Sequence, residues 1–319
     1  MASVRELEAL REAYLAERPL YEALSAEVAR VAGTATRKRG VHCRVEYRAK
    51  DVASLIKKTV RKGYADVSEV SDRAGARVIV TFADAVPQVE EALREALVVL
   101  WREDKSEALE ADRLGYLGIH YGVRLLPGDS ANEYGERACE LQLHTTAQRA
   151  WADASHDLLY KQKELPSRLS RPVNRLMALM EIFDETVVGT RQTLKTMPEW
   201  KEAAVLEELE RYFFELTARD YDAELSLLIL KGVVAAHGNA DADLVKVRVA
   251  DFVASNRERI AQIFQDYADD PRLPLLLQPE TLAVFERLSV DPFVLKEEWG
   301  RVLPVEFLER TAEVWGVAI

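Results

Sequence analysis

Glu140, Gln142 and His144 occupy every second position of Arg137-Ala-Cys-Glu-Leu-Gln-Leu-His-Thr-Thr146. That alternation predicts a strand over 139–144, with Cys139, Leu141 and Leu143 toward a core. A carboxylate, an amide and an imidazole then stand in a row on its other face. Such a row is either a polar site on a rigid support or the solvated face of an amphipathic strand. Trp151, His156, Tyr160 and Lys161 follow closely.

Upstream, Arg48, Lys50, Ser54, Lys57 and Lys58 fall within eleven residues. Asp51 is a good N-cap and Gly63 a good residue to follow a helix, so a short helix is predicted over 52–62. Val52, Leu55, Ile56 and Val60 share one face of it, and Lys50, Ser54, Lys57, Lys58 and Arg61 fall largely outside that face. Cations and a hydroxyl at this density suit a polyphosphate, whose oxygens need converging donors. The same residues also fit a solvated face, and Lys57, Lys58, Arg61 and Lys62 favour a helix C-terminus for its dipole alone.

Two further segments complete the set. Ala76, Val78, Val80 and Phe82 alternate with Arg77, Ile79 and Thr81, so a mostly buried strand begins just after Asp72 and Gly75. Asp72 at its entrance reads as a magnesium ligand or as a turn residue. In Gly115-Tyr116-Leu-Gly118-Ile-His120-Tyr-Gly122-Val-Arg124, Tyr116 sits on a glycine-flanked loop where its ring could stack on a base. His120 and Arg124 share one strand face.

In this order the segments resemble the RelA/SpoT family of alarmone synthetases, which transfer pyrophosphate from ATP to the 3′-hydroxyl of GDP or GTP. Arg48, Lys50, Ser54 and Lys58 meet R-x-K-x-x-x-S-x-x-x-K; Asp72, Gly75 and Arg77 meet D-x-x-G-x-R; Glu140 and Gln142 meet E-x-Q. Trp151, His156, Tyr160 and Lys161 match the motif after it, and 171–181 looks like the helix that closes the small synthetases. The resemblance covers roughly 42–190. It implies a mixed five-stranded sheet flanked by helices, an α+β fold. It also implies that Asp72 and Glu140 bracket Mg2+ and the acceptor hydroxyl, with Glu140 the better base. Arg48 and Arg77 would sandwich adenine, while Lys50, Ser54, Lys58 and Lys57 would hold ATP phosphates. Tyr116 would stack on the acceptor base, and His120, Gln142 and His144 would line the acceptor side. Two motifs depart from the pattern, at Leu117 and Gly118 in the loop and at His144. The loop usually reads G-Y-R-S-x-H, and His144 stands where arginine is usual, a weaker phosphate partner than a guanidinium. The departures put the acceptor's identity in question and leave the ATP side intact.

Length and composition frame these motifs. At 319 residues the chain can bury two modest cores. Hydrophobic residues at 48% and charged residues at 30% are ordinary for a globular protein. Cys43 and Cys139, both on predicted strands, offer neither a disulfide framework nor a zinc site and read as buried thiols. The most apolar run, 225–236, is too short to span a membrane, and the N-terminus enters a charged amphipathic helix, so the expected address is the cytoplasm. A net charge of −11 argues against broad nucleic-acid binding. Against that background the cations between Arg37 and Lys62 form a local anion-binding patch.

The expected layout is an N-terminal helix in 1–40 with a break or kink at Pro19, a synthetase-like domain over 41–195, and a helical regulatory or interaction domain over 200–319. Strands are predicted near 43–48, 76–82, 118–126 and 137–144, with helices near 52–62, 86–96, 145–159 and 172–192. Helices near 201–218, 220–237, 242–266, 278–289 and 291–316 follow. The fifth strand implied by the resemblance has no obvious place. Three functions compete: a guanosine tetra- or pentaphosphate synthetase; a toxic relative that pyrophosphorylates the tRNA 3′ end, with the tail regulatory or neutralising; and an inactive nucleotide sensor. Homo-oligomerisation is open. His156-Asp157 spells the dipeptide of metal-dependent phosphohydrolases, but the N-terminal 40 residues supply no histidine to complete such a site, and no Walker or Rossmann glycine pattern occurs.

Overall fold

The computed structural model describes all residues except 1–3, 65, 67–68, 105–117, 129–132, 160–166, 198–200, 239, 241 and 268–269. It divides into two compact units, Met1–Thr36 with Val41–Gly189, and Arg37–Gly40 with Thr190–Ile319. Among the described residues no helix is long and apolar enough to cross a membrane.

Through residue 195 the order is α1 (Val4–Lys38), β1 (Cys43–Ala49), α2 (Val52–Lys62), β2 (Ala74–Val80), α3 (Val86–Ala96), β3 (Leu97–Asp104), β4 (Ile119–Leu125), β5 (Cys139–Thr145), α4 (Thr146–Leu159) and α5 (Ser167–Lys195). The sheet has five strands in the order β1-β2-β5-β4-β3 and is mixed: only β2 and β5 run parallel. One face carries the core. Val78, Val80, Tyr121, Val123, Cys139, Leu141 and Leu143 are buried there with Tyr14, Tyr21, Leu24 and Val28 of α1. Alternation along β2 and β5 therefore delivers Arg77, Glu140 and Gln142 to the opposite face.

α2 forms for the reasons its sequence suggests. The Asp51 carboxylate accepts from the Ser54 backbone N–H at 2.9 Å, and Gly63 closes the helix at φ 72°, the left-handed conformation glycine adopts without penalty. Leu55 is buried and Val52 and Ile56 pack partly on the core, but Val60, expected on the same face, is 53% exposed. α2 is a surface helix with a narrow apolar stripe.

Three expectations need correction, and the expected fifth strand finds its place. α1 runs unbroken through Pro19 to Lys38. Pro19 and Leu15, whose carbonyl loses its partner to the proline, are both exposed, while buried Tyr14 and Tyr21 anchor both sides. α5 begins five residues before Pro172, which sits inside the helix. Cys43 is half-buried, whereas Cys139 is buried, and both are free thiols. The fifth strand, β3, follows α3 with no loop between them, so no turn residue marks its start.

The second unit is helical: α6 (Lys201–Thr217), α7 (Ala223–Ala235), α8 (Ala242–Tyr267), α9 (Thr281–Val290), α10 (Pro292–Gly300) and α11 (Val305–Trp315). Leu209 and Phe213 of α6, Ile229 of α7 and Phe285 of α9 meet in its core, while Leu228 of α7 is 46% exposed. Asp222 caps α7, its carboxylate accepting from the Glu224 and Leu225 backbone N–H groups.

This core contains a carboxyl group whose titration is measurable. Glu280 is completely buried and accepts from the Ser226 hydroxyl. Burial pushes its carboxyl up to about 7. The folded value lies above that of the unfolded chain, so the native state holds the extra proton between roughly pH 4.3 and 7. The associated stability is fully present below that window and is lost as pH rises through about 7. Glu286 opposes burial through Arg287 and His237 and sits at about 2, so its own stabilising window lies lower and does not mask the effect. In urea melts of the whole chain, the helical unit is expected to be on the order of 2 kcal/mol less stable near pH 8 than near pH 5. Glu280→Gln should flatten that dependence, and an unchanged slope in the variant would assign it elsewhere.

Candidate active site

The site face of the sheet is organised by register. Arg48 on β1 pairs with Gly75 on β2, Gly75 with Glu140 on β5, Glu140 with Gly122 on β4, and Gly122 with Trp101 on β3. Glu140 thus stands at the middle of a cross-sheet row with a glycine on either side. In the next row Glu46, Arg77, Gln142, His120 and Glu103 line up in the same way.

Glu46, Arg48, Lys50, Asp72, Gly75, Arg77, Glu140, Gln142 and Arg149 line one cavity of about 220 Å3, together with Tyr47 and Ala76. Arg77 holds it together. Its Nε and Nη2 donate to Gln142 Oε1 at 3.1 and 2.8 Å, and Nη1 donates to Glu46 at 3.1 Å. With its oxygen so engaged, the Gln142 amide must present its NH2, which donates to Glu140 Oε1 at 2.9 Å. His120 Nδ1 lies 3.3 Å from the same oxygen. These His120 and Gln142 bonds outweigh burial and the nearby Asp72 charge, keeping the Glu140 carboxyl below its usual value and ionised at neutral pH.

Asp72 is the second carboxylate. Lys50 Nζ lies 2.5 Å from one of its oxygens and Lys58 Nζ 2.8 Å from the other. Burial pulls its pKa upward, and the two ammonium groups more than reverse that, so it too is an anion at neutral pH. Oxygen-only donors in the ionised state suit a hard divalent cation that shares its ligands with substrate phosphates. Asp72 and Glu140, both ionised, have the donor chemistry such an ion takes. Among the described residues no cluster of three or more His, Cys, Asp or Glu could hold a metal by protein ligands alone.

Other sequence-predicted residues lie elsewhere. The Ser54 side chain is exposed, and Lys57 lines a separate surface cavity with Arg11, Asp51 and Ile56. Tyr116, Tyr160 and Lys161 lie outside the described residues. His144 is buried, 4% exposed, with its ring 6.2 Å from that of His120. Burial and the cations around it lower its pKa to about 3, so its imidazole is neutral. Neither ring nitrogen has a hydrogen-bond partner among the described residues.

Sequence reasoning overlooked Glu46 and Arg149. Glu46 accepts from both Arg77 and Arg149 at 3.1 Å. The missed signal is simple: Glu46 is two residues before Arg48 on a strand and must share its face.

A mixed sheet with cations gathered around two ionised carboxylates on one face agrees with a family match. Residues 47–165, which carry most of this site, match the family described as the region found in RelA / SpoT proteins. Over 159 residues the chain is 29% identical to GTP pyrophosphokinase YjbM of Bacillus subtilis, covering 47% of this chain and 74% of that protein. It is 24% identical over 153 residues to GTP pyrophosphokinase YwaC of the same organism, covering 46% and 71%. The crystal structure of small alarmone synthetase 1 from Bacillus subtilis aligns at 26% identity over 50% of this chain and 82% of that one, with a TM-score of 0.41.

Proposed function

We propose that the chain is an ATP-dependent pyrophosphokinase that moves the β,γ-pyrophosphoryl group of ATP to the 3′-hydroxyl of GDP or GTP. The observation that carries this reading is the convergence of Arg48, Lys50, Asp72, Arg77 and Glu140 on one cavity within the RelA/SpoT segment. Arg48 and Arg77 flank the adenine as guanidinium platforms. Lys50 and Lys58, already on Asp72, turn to the phosphates, while Ser54 and Lys57 stay outside this cavity. The acceptor oxygen attacks the β-phosphorus, the bond to the α-phosphate oxygen breaks, AMP leaves, and Glu140 receives the hydroxyl proton. Mg2+ held by Asp72 and Glu140 would neutralise charge on the phosphates when bound. Gln142 and His120 fix the Glu140 carboxylate, so positioning and electrostatics supply most of the rate. Tyr116 stacks on the acceptor base, and His144 borders the acceptor side.

A second reading keeps the chemistry and changes the acceptor to a tRNA 3′ end, with residues 200–319 regulatory or neutralising. It is favoured by His144, whose neutral imidazole offers no charge to an acceptor phosphate. Incubation with γ-labelled ATP and GDP, GTP or deacylated tRNA separates the readings. Label on guanine nucleotide with AMP release is expected; label on tRNA supports the second reading, and no label on any acceptor leaves a nucleotide sensor. On whichever acceptor is used, Tyr116→Ala should raise the acceptor KM about 10-fold while sparing that of ATP, as expected for a lost base stack. A raised ATP KM with unchanged acceptor kinetics would place Tyr116 on the other nucleotide.

A further inference from the structure

We propose that Trp101 is a stacking platform for a nucleobase on the acceptor side of Glu140, in a second cavity distinct from the ATP-side cavity. The proposal rests on the pyrophosphokinase reading for the word acceptor, and on the geometry of β3 and β4 for the platform.

Three features place the indole. The β3–β4 register slips between Val99 and Trp101, leaving Leu100 as an extra residue on β3. A bulge re-aims the side chain that follows it, and here it sets Trp101 opposite Gly122. Gly122 has no side chain to block the ring: a Cβ there would lie 2.1 Å from the Trp101 indole nitrogen. The indole therefore crosses β4 on the face that carries His120 and Glu140. It is 41% exposed, so surface remains for a partner.

A cavity of about 560 Å3 opens beside it, lined by Trp101, Gly122, Glu140, Tyr21, Arg73 and Arg137 among others. Its size suits a small organic ligand. Glu140 lines both this cavity and the ATP-side one. Along the central row, Arg48 and Trp101 stand at opposite ends, each separated from Glu140 by one glycine. One end presents a guanidinium and the other an indole, both flat surfaces on which bases stack. A base held on Trp101 would bring its nucleoside up to Glu140 from the side opposite ATP. The chemistry fits the base of a free guanine nucleotide or of an RNA 3′ end.

The full chain is tested with two probes, GDP and an RNA oligonucleotide ending in cytidine-cytidine-adenosine, each with an unreactive ATP analogue present. Tryptophan emission is followed in the wild type and in Trp101→Phe, which removes that fluorophore and keeps a ring. At least one probe is expected to quench the wild type, with the quench largely lost in Trp101→Phe, and the probe that does so identifies the source of the base. In turnover, Trp101→Ala should raise the KM of that acceptor about 10-fold or more, and Trp101→Phe much less, with the ATP KM unchanged in both. Trp101-dependent quenching without transfer to either probe would remove the proposed reaction and leave the platform standing. The platform is overturned if neither probe quenches, if the quench is the same in Trp101→Phe, or if Trp101→Ala shifts acceptor and ATP alike.

Discussion

Glu140→Gln and Asp72→Asn are each expected to lower transfer to every acceptor by about 100-fold or more while the melting temperature stays near that of the wild type. Each substitution removes one negative charge at almost constant shape. At position 140 the hydrogen bonds from Gln142 and the contact with His120 are made to a carboxylate. An amide there can no longer take the hydroxyl proton or share a cation with phosphates. At position 72 the carboxylate holds two ammonium groups, Lys50 and Lys58, in the positions from which they would meet ATP. Asparagine weakens both contacts and removes the charge proposed to help hold Mg2+. Initial rates with labelled ATP, alongside thermal melts, decide the matter. Activity within a few-fold of wild type for either variant, on a folded protein, would end that residue's assignment.

Gly118→Ala or Gly118→Ser is expected to destabilise the sheet by about 3 kcal/mol, the upper part of the range for overpacking, and to abolish acceptor transfer. A Cβ at 118 would lie 2.2 Å from His144 Cδ2 and 2.4 Å from the Leu143 carbonyl oxygen. The first contact is with a ring and the second with backbone in the middle of a sheet, so relief needs β4 to move away from β5. Serine is the usual family residue at this position and arginine the usual one at 144, and the two departures meet in space here. His144→Ala should rescue Gly118→Ala only in part, because it removes the ring and leaves the carbonyl. Denaturant midpoints for the two single variants and the double variant measure this directly. Full rescue, or no loss in Gly118→Ala, would show that the β4 backbone is freer than its packing implies.

Much of the site could be read along the chain because its local geometry is periodic. Alternation in 139–144 placed Glu140 and Gln142 opposite the core, and the structure keeps them there. The Asp51 and Gly63 termini of α2 follow from side-chain oxygen chemistry and backbone freedom, both properties of single residues. Motif order supplied the RelA/SpoT resemblance, which the match over 47–165 supports. What stayed hidden depended on partners distant in sequence. Strand β3 lacks alternation because its bulge shifts the register, and it follows α3 without a turn signal.

From the sequence alone came the residue types, their periodicities and the segments that had to become strands or helices. Tertiary structure decided which of those residues share a cavity. Register across β1, β2, β5, β4 and β3 set Arg48, Glu140 and Trp101 in one row, and it put Gly118 against His144. Pairing between strands far apart in the chain is fixed by the burial of a whole face, because a slip of one residue would turn every core side chain outward. No local pattern carries that information, so the neighbours of Glu140 emerged only with the assembled sheet.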